Sequence, residues 1–373
     1  MVDLPPRRYA VLALVAAGVA LLAMPALLPP YPLIQLCYAL ALAIACLGLN
    51  LLYGTTGLLS LGHATFFGIG AYAGGFLFYI FDVQALEAYL LTGVLAAGAL
   101  ATVVGAVCVR VTRIHFTIMT LAFGMIVHAL FFAGIVFKLG GDYGKGMFYV
   151  GYGGIVLPRF AILGTVPEPE QFFAAFYYVI LAAFAATLAI MWRISRSPFG
   201  LALRGIRDND VRAEFIGIRL ARFRWRAFVL SGLITGLAGC LYAQLDRQVT
   251  PQQLHWMFSA TLVTAIILGG TREFFGPVVG AFGLVALQEF SRPMTIYDGL
   301  VLGVVLILVI FAFPGGVTGT VASLVSRVRA ARRADARRAQ RRHVGTAARA
   351  AISKLAVDYD CRDAPDSVPL RFY

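Results

Sequence analysis

Ser60 and His63 lie three residues apart in an apolar stretch that is rich in glycine. Residues 54–75 read GTTGLLSLGHATFFGIGAYAGG and contain seven glycines. The chemistry that these two side chains offer is hydrogen bonding to a polar group. The sequence has no metal-ligand spacing, no carboxylate pair within an apolar run and no nucleophile with a base at readable spacing. We therefore expect no enzyme active site, no metal and no cofactor.

The composition is that of a protein with many membrane spans. Of the 373 residues, 60% are hydrophobic and 13% are charged, and the mean hydropathy is +0.83. A hydrocarbon core about 30 Å thick takes roughly 20 apolar residues per helix, and such runs recur along the chain. We predict an all-α polytopic helical bundle, with some segments broken or re-entrant. Ten segments are expected, centred near residues 19, 42, 72, 98, 125, 182, 235, 264, 283 and 306.

The charges of the links predict the orientation of the bundle. The links near Arg110, over residues 193–226 and after Ser326 are basic, whereas the links near Asp82 and Glu168 are acidic. Cytoplasmic links carry an excess of arginine and lysine. Ten crossings with both termini in the cytoplasm place all three basic links inside. The expected transmembrane domain covers residues 1–320, and the five cysteines are expected to be small apolar residues and not disulfides.

Two connections are longer than a turn requires. Residues 138–172 are expected outside the membrane, either as a folded loop that caps an opening or as a plain linker. Residues 194–226 are expected in the cytoplasm and read ISRSPFGLALRGIRDNDVRAEFIGIRLARFRWR. Pro198 and Gly217 bracket one or two short amphipathic helices, the second of them capped by Asn209. The apolar side expected beneath them is formed by Leu203, Ile206, Val211, Phe215 and Ile218.

Such a helix lying across a membrane domain is a contact surface for another protein. The alternative is that the arginines only follow the charge rule for cytoplasmic links. That rule needs a few charges and no ordered helix. The apolar periodicity of the segment favours the docking interpretation.

Five motifs together resemble the permease subunits of branched-chain amino acid ABC importers, closest to the LivM branch of the LivH and LivM family. The similarity covers about residues 10–320. The motifs are LGLNLLYGTTGLLSLGHATFFGIGAYAGG (47–75), HFTIMTLAFGMIV (115–127), SPFGLALRGIRDNDVRAEFIGI (197–218), LSGLITGLAGCLYA (230–243) and LGG with FGPVVGA (268–270, 275–281).

The resemblance implies a multi-pass subunit of the bacterial inner membrane that works in a larger machine. Its implied partners are a LivH-like second permease, two cytoplasmic ATPases and an extracytoplasmic substrate-binding protein. The chain lacks the GxxxxGK[ST] phosphate loop, so the ATPase is expected to be another polypeptide. Residues 204–217 match the loop of the family that docks on the ATPase. The candidate coupling residues are Arg204, Arg207, Asp208, Asn209, Glu214 and Gly217.

The glycine-rich stretch has two interpretations. A broken helix is tolerated at membrane depth where its free backbone groups face protein or a water-filled cavity, and transporters place such breaks near the solute. The other interpretation is close packing of helices at a subunit interface. The candidate residues of the translocation path are Gly54, Thr56, Gly57, Ser60, Gly62 and His63.

Other functions and cargoes stay open at this point. A stand-alone channel or secondary carrier is the alternative from another class, and related permeases also serve urea, short amides and aromatic acids. Residues 321–373 form a basic, largely disordered cytoplasmic tail outside the resemblance, with eight arginines over 327–342. Its expected partner is the anionic lipid surface and not nucleic acid, because aromatic residues are absent between the arginines.

Overall fold

The computed structural model describes residues 18–111, 114–133, 154–162 and 169–291, together with part of 300–324. Residues 3–320 form one compact unit. Residues 1–2 and 321–373 are assigned to a second unit, of which only positions 321, 323 and 324 are described. The expectations for the basic tail and for the chain before residue 18 therefore lie outside the described residues.

Helices account for nearly all of the described chain. A short 3-10 helix over Pro251–Leu254 and a pair of two-residue strands, β1 (Ile155–Val156) and β2 (Gln248–Val249), complete the architecture. The helices are α1 (Gly18–Leu27), α2 (Pro30–Thr56), α3 (His63–Phe81), α4 (Leu86–Cys108), α5 (Ile114–Phe132), α6 (Pro169–Arg196), α7 (Pro198–Asp208), α8 (Asp210–Phe215), α9 (Leu220–Asp246), α10 (Trp256–Gly269) and α11 (Gly276–Ser291).

Six of these helices, α2 to α6 and α9, are long and apolar enough to cross a membrane. The prediction of an all-α membrane bundle is confirmed. The count of ten segments and the orientation of the termini stay predictions. Helices α10 and α11 lie where two segments were expected, but they have 14 and 16 residues and are shorter than a full span requires.

Helix α9 packs against α2, α3 and α4 in the centre of the bundle. Small residues allow the close approach, since a Cβ on Gly70 would lie 2.9 Å from the Cα of Gly236. The rings of Phe66, Phe116 and Phe228 then meet edge to face beside this contact. Glycines that let backbones touch are the usual device of helix association in membranes.

The links between the long helices gather at two opposite ends of the bundle. At one end β1 pairs antiparallel with β2, with Ile155 opposite Val249, and Ala161 N donates to Gln84 O at 2.7 Å. Residues 154–162 belong to the predicted external loop. At the other end lie the links 57–62, 109–111 and 197–219. Four of the cysteines, Cys37, Cys46, Cys108 and Cys240, are buried and free.

Candidate functional site

Helices α7 and α8 form the polar segment at the second end of the bundle. Ser197 precedes Pro198 and caps α7, because its hydroxyl accepts from Gly200 N at 3.3 Å. Asn209 ends α7 and caps α8, with its Oδ1 accepting from Arg212 N at 2.8 Å. The sequence predicted one or two short helices and a cap at Asn209, and the structure has two helices with that cap.

The two helices differ in the direction that their apolar side chains face. Leu203 and Ile206 of α7 are fully buried against the bundle. On α8, Val211 and Phe215 are 63% and 87% exposed, and Ile216 after it is 73% exposed. The expectation that Val211 and Phe215 lie beneath their helix was wrong. Six residues give α8 less than two turns, and Ala213 occupies its inward position.

An ion pair joins α8 to the central helix α9. Arg224 Nη2 donates to Asp210 Oδ2 at 2.6 Å. The side chain of Arg224 is 5% exposed and that of Asp210 is 31% exposed. A buried guanidinium is costly without a carboxylate partner. The pair therefore fixes the start of α8 to the start of α9.

A second polar contact joins α7 to the end of α2. Arg207 Nη1 donates to the carbonyl oxygen of Gly54, which belongs to the last turn of α2 and has no partner within that helix. Arg204 Nη2 donates to Ser195 O at 3.2 Å, at the end of α6. Residues 194–218 are thus tied to three long helices by arginine side chains.

The remaining predicted coupling residues face outward. Asp208, Asn209 and Glu214 are exposed on α7, α8 and the turn between them. Gly217 has φ +89°, a left-handed conformation that a residue with a Cβ adopts at a cost. Gly217 N donates to Glu214 O at 2.9 Å. Glycine therefore ends α8 and turns the chain toward α9.

The predicted translocation residues lie at the same end of the bundle. Gly57 ends α2 with φ +75°, and its N–H bonds Tyr53 O at 3.2 Å. The hydroxyl of Thr56 donates to Leu52 O at 2.5 Å within α2. Gly62 begins α3 at a point where a Cβ would lie 3.1 Å from the carbonyl carbon of Thr120. Helix ending and close packing account for these glycines.

Ser60 and His63 are buried within the bundle and hydrogen bonded there. His63 Nδ1 lies 2.8 Å from Ser60 Oγ, and His63 Nε2 lies 2.6 Å from Ser231 Oγ. Ser231 Oγ donates to Gly48 O at 2.6 Å. Ser231 Oγ therefore accepts a hydrogen bond from Nε2–H, which leaves Nδ1 to accept a hydrogen bond from the hydroxyl of Ser60. Both side chains thus find their hydrogen-bond partners within the bundle.

A cavity of about 470 Å³ opens where α2, α6 and α7 meet the link 271–274. Gly54 is the predicted translocation residue that lines it, and Arg204, Arg207 and Asp208 of the coupling segment line it as well. The complete lining is Leu47, Asn50, Leu51, Gly54, Thr55, Met191, Ser195, Arg204, Arg207, Asp208, Thr271, Arg272, Glu273 and Phe274.

Sequence reasoning missed Asp210 and Arg224 as a pair and Asn50 as a lining residue. The two charges are separated by 14 positions and by the end of α8, so helical spacing does not connect them. Asn50 is the polar residue in the run LGLNLL. A polar side chain in such a run was the available signal, since polar residues inside a membrane segment are costly.

The chain is similar to known membrane proteins. The model of the family described as "Branched-chain amino acid transport system / permease component" matches residues 31–310. The high-affinity branched-chain amino acid transport system permease protein LivM of Escherichia coli is 28% identical over 285 residues. That alignment covers 72% of this chain and 66% of the relative, which is slightly less than two thirds.

Two further relatives bear other names. The guanosine ABC transporter permease protein NupQ of Bacillus subtilis is 28% identical over 271 residues, which cover 71% of this chain and 81% of NupQ. The autoinducer 2 import system permease protein LsrC of Klebsiella pneumoniae is 32% identical over 136 residues, which cover 33% of this chain and 40% of LsrC. The chain is thus similar to permeases that are named for different solutes.

Proposed function

The chain belongs to the family of branched-chain amino acid transport system permease components, and on that premise we propose that it is a transmembrane permease subunit of an ATP-binding-cassette importer. It forms half of the translocation path for branched-chain amino acids or related small polar solutes. Its partners are a LivH-like second permease, two cytoplasmic ATPases and an extracytoplasmic binding protein, in a bacterial inner membrane. The chain itself carries out no chemical reaction.

The exposed apolar surface of α8 carries this proposal. Val211, Phe215 and Ile216 project from the end of the bundle where the arginine-rich segment lies, next to the exposed charges of Asp208 and Glu214. A large aromatic residue surrounded by polar groups is a typical anchor of a protein interface. The surface lies on a short polar segment outside the long apolar helices.

The coupling segment has the connections that transmission of movement requires. If an ATPase binds α7 and α8 and closes when it binds nucleotide, its closure would displace the ends of α2, α6 and α9 together. The contacts of Arg207, Arg204 and Asp210 described above would carry the displacement. Rigid-body movement of packed helices about an interface is an established form of switching.

The docking proposal is tested by purification of the chain from native membranes in mild detergent, followed by mass spectrometry. We expect a second permease and ATPase subunits to accompany the wild-type chain. Phe215→Ala should weaken the ATPase contact about 30-fold, since an aromatic anchor contributes roughly 2 kcal/mol or more. Phe81→Ala is the matched control. Phe81 is 69% exposed and is the last residue of α3, at the end of the bundle opposite to α8. Equal recovery of ATPase with both variants would contradict the docking role of α8.

We further propose that the link 54–63 contributes to the solute path. Its support is the position of Gly54 in the cavity wall. Gly57 is exposed, and a Cβ there would meet only the side chain of Arg207, at 3.3 Å. Because Gly57 has φ +75°, Gly57→Leu is expected to cost about 1–2 kcal/mol of stability, and the assemblies that stay intact are expected to lose uptake. Normal uptake by this variant would leave packing as the role of the link.

A further inference from the structure

Helix α6 has a strip of exposed apolar residues along one side. The helix is long and apolar enough to cross a membrane, and it packs against α2 and α7 on other sides. The strip extends about 12 Å along the helix axis. An exposed apolar strip on a membrane-spanning helix contacts lipid acyl chains unless a protein covers it. The exposed residues of the strip are Ala182, Ala185, Ala186, Ala189 and Ile190.

The strip leads into a groove of about 670 Å³ at the end of α6, where α7 begins. Ala189 and Ile190 form the apolar part of this groove, and Ile190 is 52% exposed. The positive charges follow within one turn of the helix, and the described lining contains no acidic residue. The groove is lined by Ala189, Ile190, Trp192, Arg193, Arg196 and Ser197.

Two guanidinium groups of the groove are exposed, those of Arg193 and Arg196. Among the residues that the structure describes, neither forms an ion pair or a hydrogen bond. The nearby Arg204 and Arg207 differ, because they donate to backbone carbonyl oxygens. The donors of Arg193 and Arg196 are therefore available to an anion, and phosphate oxygens match the guanidinium fork.

The indole of Trp192 positions one of the two arginines. Arg196 Cζ lies 3.9 Å from the ring centroid, which is a cation–π contact. The indole is itself packed against Phe274, whose ring meets it edge to face at 4.9 Å, and against Phe275 at 6.3 Å. A side chain that is already positioned loses less conformational freedom on binding. Tryptophan is also enriched at the membrane–water interface, where lipid headgroups lie.

We infer that this groove is a binding site for an anionic phospholipid. The phosphate is placed at Arg193 and Arg196, and one acyl chain lies along the exposed strip of α6. Basic pockets at the membrane surface bind anionic headgroups in this way. A free phosphate ion would use the arginines and leave the strip uncovered, so the two features together favour a lipid. The headgroup then lies beside Ser197, which caps α7.

The general charge rule for cytoplasmic links does not require this arrangement. That rule needs positive residues and no particular geometry. Arg219 and Arg222 illustrate the difference, because they are exposed at the same end of the bundle and do not line the groove. They provide a matched control for Arg193 and Arg196. The inference goes beyond the proposed function, because it depends on neither the cargo nor the ATPase.

Quenching of Trp192 fluorescence by brominated lipids tests the site. The chain, with the subunits that it retains, is reconstituted into nanodiscs with brominated phosphatidylglycerol or brominated phosphatidylcholine. Bromine quenches an indole at short range, and subtraction of a Trp192→Phe preparation isolates the signal of Trp192. Brominated phosphatidylglycerol should reach half-maximal quenching at about one-tenth or less of the mole fraction that phosphatidylcholine requires, since each nearby basic residue favours an anionic lipid about fivefold.

The double variant Arg193→Gln/Arg196→Gln should lose this preference. Arg219→Gln/Arg222→Gln removes the same charge from the same end of the bundle and should keep it. A preference that survives in the first variant, or equal quenching by the two lipids in the wild type, would overturn the inference.

Two further results would also overturn it. Absence of quenching by either lipid would mean that a protein subunit covers the strip. Displacement of phosphatidylglycerol by millimolar inorganic phosphate, and not by chloride at equal ionic strength, would assign the arginines to a free anion. Retained quenching in phosphate is the expected result.

Discussion

Replacement of Asp210 by asparagine should destabilise the protein through the charge that it leaves behind. Arg224 has a 5% exposed side chain and pairs with Asp210 Oδ2 at 2.6 Å. Removal of one partner of a buried ion pair costs about 3–5 kcal/mol, because the other charge stays buried without compensation. Asp210 is 31% exposed, so water compensates in part, and we expect Asp210→Asn to lose about 2–3 kcal/mol of the free energy of unfolding.

A double-mutant cycle separates the pair from other effects of the carboxylate. Asp210 is in the first turn of α8, where a negative charge also interacts favourably with the helix dipole by about 0.3–1 kcal/mol. That contribution persists when Arg224 is methionine, whereas the ion pair does not. Asp210→Asn should therefore cost much less in the Arg224→Met background, and the difference is the coupling energy of the pair.

Chemical denaturation in mixed micelles measures these free energies, and Asp208→Asn is the control. Asp208 is exposed, and among the described residues it forms no ion pair. Its replacement should change the free energy of unfolding by less than about 0.5 kcal/mol. A loss for Asp210→Asn no larger than that for Asp208→Asn would refute the reasoning, because Arg224 would then not depend on its partner.

Four further substitutions test other parts of the structure by the same unfolding measurement. Ser231→Ala leaves Nε2–H of His63 buried without an acceptor and should cost about 1–3 kcal/mol; an unchanged stability would contradict the proposed hydrogen-bond network. Gly54→Ala should destabilise by overlap with its neighbours, whereas Gly205→Ala, which meets nothing within 4 Å, should be neutral or stabilising by up to about 1 kcal/mol; equal effects of the two would contradict the packing. Gly217→Ala, at φ +89°, should cost about 1–2 kcal/mol and reduce recovery of ATPase; full recovery at full stability would argue against an ordered end of α8.

The long helices follow from the sequence because hydropathy is a local property. Each run of about 20 apolar residues must satisfy its backbone hydrogen bonds as a helix in lipid, and α2 to α6 and α9 lie close to the predicted centres. The Asn209 cap was predictable for the same reason, since a cap depends on residues within one turn. Gly70 of the glycine-rich stretch packs closely against Gly236 of α9 within the same chain.

Contacts between residues far apart in the sequence could not be predicted from these local patterns. The position of Asp210 opposite Arg224 depends on how α8 folds back on α9, and the bond from Arg207 to Gly54 joins residues 153 positions apart. The outward direction of Val211 and Phe215 depends on which side of α8 the bundle covers. The pattern of apolar residues is the same whether that side meets the bundle or a partner protein.

ATP dependence of uptake tests the central claim most directly. The purified assembly is reconstituted into proteoliposomes with external binding protein, and accumulation of labelled leucine, isoleucine, valine and guanosine is measured with ATP or without it on the ATPase side. A permease subunit of an ATP-driven importer predicts accumulation of at least one solute that requires both ATP and the binding protein. Uptake that proceeds equally without ATP, by this chain alone, would contradict the account and would identify a stand-alone channel or carrier.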